Sequence, residues 1–237
     1  MAMPVRELIV LLVSFCWPLI QITPAFAKET ALKLDQTHTF MGRGQLTVSA
    51  KGVRLENQDK LKYILVAKAP DWRVTIYRND DKTYFSESLE EFENTGMFSG
   101  FVMLPPGKHL HSVGFTRASF KFLGLDVIRM TGSKTTLKYI PLGNIAPEVE
   151  SIVYAAYKSP TNGGLPLVYV KAHSGKDYTS GASQEGQIET ILDTTKIETI
   201  EDNPKFYAVP SGYKLAKSLG LVFAGTAVRK DSVEFQA

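Results

Sequence analysis

His109 and His111, in the stretch GKHLHS, are the two residues best spaced to act together. On a strand they would share one face, and two imidazoles there can bind one metal ion. A metal site needs three or four ligands, and no cysteine or carboxylate lies close to the pair in sequence. Structural or solvent-exposed histidines are therefore the expectation. His38 and His173 are too isolated to be assigned a role. Asn79-Asp80-Asp81 lacks the carboxylate that closes a calcium loop and reads as a turn. Glu90, Glu91 and Glu93 read as the solvated side of a short helix. Gly181-Ala182-Ser183-Gln184-Glu185 departs from the G-x-S-x-G elbow at its last position, and neither H-E-x-x-H nor a phosphate-binding loop occurs. Catalytic triads are built by geometry and leave no contiguous trace, so a hydrolase stays open. The residues themselves point to a non-catalytic protein without a cofactor.

The other unusual feature is apolar. Residues 96–124 read GMFSGFVMLPPGKHLHSVGFTRASFKFLG. Before the Pro105-Pro106-Gly107 turn the run has two glycines and little periodicity, which suits an apolar loop better than a strand or helix. Met97, Phe98, Phe101, Met103 and Leu104 are the candidate lid over a hydrophobic ligand, since methionine adapts to irregular apolar surfaces. Phe120 and Phe122 share one parity of the following strand and are the candidate wall. Ordinary core packing is the competing account. If exposed, such a run would demand a partner.

Residues 1–27 bound the compartment. Arg6 precedes an apolar run over residues 8–20, and Ala25-Phe26-Ala27 has the small-x-small form of a signal cleavage site. The run is short for a membrane span, which needs about 20 apolar residues, and Pro18 would kink a helix. Cleavage near Ala27 is expected, giving an exported, periplasmic protein. An uncleaved anchor is the competing account. The single cysteine, Cys16, lies in that segment, so residues 28–237 hold neither a disulfide nor a thiol nucleophile. The formal net charge of +3 is mild and argues against nucleic acid as a partner.

Along residues 28–237 the strand signals come first. Residues 45–50 (QLTVSA) alternate as a half-buried strand does, and residues 53–55 continue after Gly52. Residues 63–67 (YILVA) are denser, as in a strand covered on both sides. Residues 73–77 and 83–85 flank the Asn/Asp turn as a hairpin. Ser88 and Glu91 have capping-box spacing at the start of a short helix that Gly96 stops. Strands follow at 127–131 and 135–140. Val149, Ile152, Val153, Ala156 and Tyr157 lie on one face of a longer helix, with Pro147 in its first turn and Pro160 barring continuation. Residues 167–172, 187–192 and 196–200 read as further strands, and the chain closes on strand-like residues 205–209. This order predicts a single α+β domain over residues 28–237, with a mainly antiparallel sheet covered by one or two helices.

Asp81-Lys82-Thr83-Tyr84 in the hairpin and the closing run IETIEDNPKFYAVPSGYK carry a resemblance. Ile200, Asp202, Phe206, Val209, Pro210, Gly212 and Tyr213 match the ending of a late strand in the exported lipoprotein-carrier superfamily, and the chain resembles that LolA/LolB-like group. The resemblance implies a strongly curved, unclosed β-barrel whose apolar concave face is covered by helices. It also implies a lipid or an acylated protein as ligand, held in the cavity. The chain departs from the carriers over residues 96–124. The alternative is an envelope module that binds another protein and has a packed interior.

Overall fold

The computed structural model describes residues 29–59, 61–97, 107–110, 113–173 and 183–224. The expected signal segment therefore lies outside the described residues, as do Phe98, Phe101, Met103, Leu104 and His111. The strands are β1 (Thr30–His38), β2 (Gly42–Ser49), β3 (Gly52–Asn57), β4 (Tyr63–Lys68), β5 (Val74–Arg78) and β6 (Thr83–Glu87), then β7 (Thr116–Phe122), β8 (Leu125–Thr131), β9 (Thr135–Pro141), β10 (Gly164–Ala172), β11 (Ile188–Glu201) and β12 (Lys214–Leu215). Helix α1 (Leu89–Thr95) follows β6, α2 (Pro147–Tyr157) follows β9, and Pro204–Tyr207 forms a 3₁₀ turn. Residues 219–224 are helical. None of the helices among the described residues is long and apolar enough to cross a membrane.

All twelve strands form one open sheet in the order β12-β6-β5-β4-β3-β2-β1-β11-β10-β9-β8-β7. Two antiparallel meanders, β1–β6 and β7–β11, are joined where β11 pairs with β1. Every pairing is antiparallel except the short β12 beside β6. The class is thus α+β with an unclosed, mainly antiparallel sheet and few helices.

Period-two alternation puts Leu34, Leu46, Val48, Leu55, Leu65 and Ile76 in one core, together with Phe92 of α1 and Val149, Ile152 and Val153 of α2. The helix-covered side is the inner face. Strand β4 is buried on both faces, as its dense composition predicts. Tyr63, Leu65 and Ala67 enter the inner core, while Ile64 and Val66 join Tyr77, Val209 and Tyr213 in a second cluster on the outer face. That outer cover is the segment after β11. Tyr207 lies against Gly52, where a Cβ would sit 2.7 Å from its ring, and Tyr213 packs edge-on to Tyr77. The chain then passes the β6 edge, and Ala216 N donates to Tyr84 O at 2.7 Å. Val222 ends fully buried in the inner core, with Phe223 edge-on to Tyr63.

Both helices follow their punctuation. Ser88 accepts from Glu91 N and the Glu91 side chain returns to Ser88 N, a complete capping box. Pro147 opens α2, and Lys158 closes it in the left-handed region. Three expectations change. Residues 187–192 and 196–200 form one 14-residue strand, β11, which absorbs the gap through a register shift opposite Asp35 and Gln36. Residues 205–209 are not a strand, because Pro204 lacks the N–H a ladder needs and Asn203 caps a 3₁₀ turn there. The matched run ending in Tyr213 accordingly lies mostly over the outer face and leads into β12 rather than forming a long strand.

Candidate functional site

The inner face turns polar where β1 meets α2. Along β1, Leu32 and Leu34 are followed at the same parity by Gln36 and His38, both buried. These two residues receive the C-terminal turn of α2. His38 Nε2 lies 3.1 Å from Tyr157 O, Phe40 N donates to His38 Nδ1 at 3.2 Å, and the imidazole stacks on the Tyr157 ring. A carbonyl can only accept, so Nε2 carries the hydrogen, and Nδ1 must keep its lone pair for Phe40 N–H. Both nitrogens are satisfied only in the neutral ring. Burial, the dominant cause, lowers the His38 pKa from 6.5 to about 4.

Gln36 is equally committed. Its Oε1 accepts from Tyr157 Oη at 2.7 Å, and its Nε2 donates to Pro166 O at 3.0 Å and Thr194 Oγ1 at 2.9 Å. Thr194 in turn donates to Leu167 O at 2.7 Å. The node thus ties β1, α2, β10 and β11 together. Burial raises the Tyr157 and Tyr63 phenols, so both stay neutral. The Tyr63 hydroxyl is buried without a hydrogen-bond partner. It borders a cavity of about 10 Å³, lined also by Gln36, His38, Asn57 and Met41. That is room for about one water molecule.

A second polar knot sits at the other end of α2. Glu150 is buried, and its Oε1 accepts from Thr161 Oγ1 at 2.6 Å and Gly163 N at 2.7 Å. Lys108 Nζ lies 3.5 Å from Glu150 Oε2 and donates to Ser151 Oγ at 3.0 Å. Lys108 O accepts from Thr161 N and Asn162 N. Residues 107–110 are thereby pinned to α2 and to the turn before β10.

Of the expected lid, Met97 is described, and it is core, 2 % exposed at the end of α1. Gly96 beside it packs on Ala155 O and Lys158 of α2. Phe98, Phe101, Met103 and Leu104 lie outside the described residues. The expected wall residues, Phe120 and Phe122, are half-buried on β7. Residues directly opposite in a ladder share a face. Phe120 pairs with Val127 and Arg129 with Lys138, while the alternate pair Met130 and Leu137 enters the inner core. By parity Phe120 and Phe122 lie across the sheet from Met130 and Leu137, yet Val127 opposite Phe120 is 1 % exposed and both rings pack against the same core cluster. Lys138 Nζ lies 4.6 Å from the Phe122 centroid and 5.9 Å from that of Phe120. They pack against the core cluster that also buries Met97, from the opposite side by ladder parity.

Among the described residues no three His, Cys, Asp or Glu side chains are grouped to hold a metal. His109 is exposed, and His173 pairs with Glu189 at 2.7 Å. The polar node escaped sequence reading. Its signal was residues 30–38 (TALKLDQTH), whose inward positions change from Leu to Gln and His.

No protein-family model and no curated protein matches the chain. Among solved structures it is similar to an uncharacterized conserved protein from Thermus thermophilus, at 8 % identity and a TM-score of 0.41, over 79 % of this chain and 90 % of that one.

Proposed function

We propose that the protein is an exported, non-catalytic module of the cell envelope that acts through its surface, with its interior packed. The observation that supports this reading is the filling of the inner face. Helices α1 and α2 and the segment around Val222 occupy it, and the polar cavity there measures about 10 Å³. A lipid-sized ligand needs about 300 Å³ or more. In this reading His38, Gln36 and Tyr157 fasten α2 to the sheet and perform no reaction.

One observation favours a second reading, the binding of a lipid or lipoprotein acyl chain. The inner core is largely apolar, and Met97, buried in it, is followed in sequence by Phe98, Phe101, Met103 and Leu104. A barrel-like sheet would accept an acyl chain with α1 displaced, and burial would stabilise the chain by about 0.8 kcal/mol per CH₂. Native mass spectrometry of protein purified without detergent separates the two. A clean mass, unchanged after lipids or lipopeptides are offered, supports the packed module. A retained mass that extracts as lipid refutes it and names the ligand class.

A further inference from the structure

We propose that the β7–β8 hairpin docks the protein on an anionic lipid surface. This deepens the surface-acting reading and rests on it. The first observation is charge segregation. Residues 113–141 hold Arg117, Lys121, Arg129, Lys134 and Lys138 against the single acid Asp126, a net +4, whereas the whole chain is +3. The remaining sequence is therefore slightly acidic. Among the described residues Lys121 alone of these has an ion-pair partner, Asp126 at 2.8 Å, with both side chains exposed. Among the described residues no carboxylate lies within ion-pair distance of Arg117, Arg129 or Lys138.

The second observation is that two choices here work against local stability. Leu123 and Gly124 form a two-residue turn with φ of 48° and 85°, the primed turn that favours Asn-Gly or Asp-Gly. Glycine suits its position, whereas leucine in the left-handed region is strained, and Leu123 is also 45 % exposed. Nearby, Arg129 and Lys138 stand directly opposite each other on β8 and β9, where like charges repel. Phe120 and Phe122 relieve part of that repulsion through their ring faces. Arg129 lies 5.5 Å from the Phe120 centroid, and Lys138 covers both rings. Charges on an edge strand block unwanted pairing, which accounts for Arg117 and Lys121 on β7. It does not account for Arg129 and Lys138 on interior strands, or for an exposed leucine at the tip. Local rules broken together mark functional places. An apolar tip, half-buried aromatic rings and unpaired cations match a bilayer surface, where apolar groups enter the acyl boundary and cations meet lipid phosphates.

The test is co-sedimentation with vesicles of phosphatidylcholine alone or with about 30 mol % phosphatidylglycerol. Wild type should bind the anionic vesicles, and salt should weaken the binding. Leu123→Asn should bind about tenfold more weakly while keeping or raising its thermal midpoint, because Asn suits the turn. Arg129→Gln with Lys138→Gln should lose about 25-fold, roughly fivefold per cation. Any contribution of residues 1–27 is common to all these proteins and cancels in the ratios. Equal binding to both vesicle types, no binding, or unchanged binding by both variants overturns the inference. A lipid retained in native mass spectrometry while the variants still lose vesicle binding refutes the packed interior and leaves the hairpin standing.

Discussion

Acidification should loosen the β1–α2 junction, and His38 sets the amount. In the unfolded chain its imidazole takes a proton near 6.5, and in the folded chain only near 4. The unfolded state therefore binds the proton first, so His38 gives full stability above 6.5 and loses it as pH falls towards about 4. That gap, at roughly 1.4 kcal/mol for each tenfold change in proton affinity, bounds the total loss at about 3 kcal/mol. About 2 kcal/mol of that is already lost at about pH 5. The structural cause is specific: a second proton on Nδ1 would face Phe40 N–H, which now donates there. Urea unfolding of wild type and His38→Gln at about pH 7.5 and about pH 5 isolates the effect. The variant will be less stable at both values, but its loss on acidification should be smaller than the wild type's by about 2 kcal/mol. Equal losses in the two proteins would refute the neutral, doubly bonded imidazole.

Three further outcomes follow from the packing. Glu150→Ala leaves Thr161 Oγ1, Gly163 N and Lys108 without their carboxylate, and should cost about 3 kcal/mol in urea unfolding. Ser88→Ala removes one half of the α1 capping box and should cost about 1 kcal/mol, read as a lower thermal midpoint. Gly52→Ala forces a methyl against the Tyr207 ring, and should destabilise by about 2 kcal/mol in the same assay.

What the sequence discloses follows the strength of local rules. The capping box, the Asn/Asp hairpin and the five-residue face of α2 were legible because each rests on neighbours in the chain. So was β4, whose unbroken apolar run needs cover on both sides. Strand β1 was hidden because Gln36 and His38 stand where a core strand shows Leu or Val, and their partners Tyr157, Pro166 and Thr194 are more than 100 residues away. The parity of Phe120 and Phe122 was legible too, but not which face that parity met. That depends on Met130 and Leu137, which have the better claim to the core and turn the phenylalanines outward.

The outward turn has a further consequence, because the two halves of the sheet treat their outer faces differently. Over β4 and β5 that face is apolar at Ile64, Val66 and Tyr77, and the chain covers it with its own segment, Val209 and Tyr213 packing there and Tyr207 lying on Gly52 beside them. Over β7–β9 the corresponding face buries Val127, 1 % exposed, beside Phe120 and Phe122, and carries Arg129 and Lys138 over those two half-buried rings. Val127 and the two rings pack with the core cluster there, whereas Leu123 at the turn is 45 % exposed. Phe120, Phe122 and Leu123 remain there with cations beside them. Leu123→Asn separates the explanations: if these residues serve only the fold, the variant should be neutral or more stable and nothing else should change. If they serve a contact, stability and binding should part company in that single substitution.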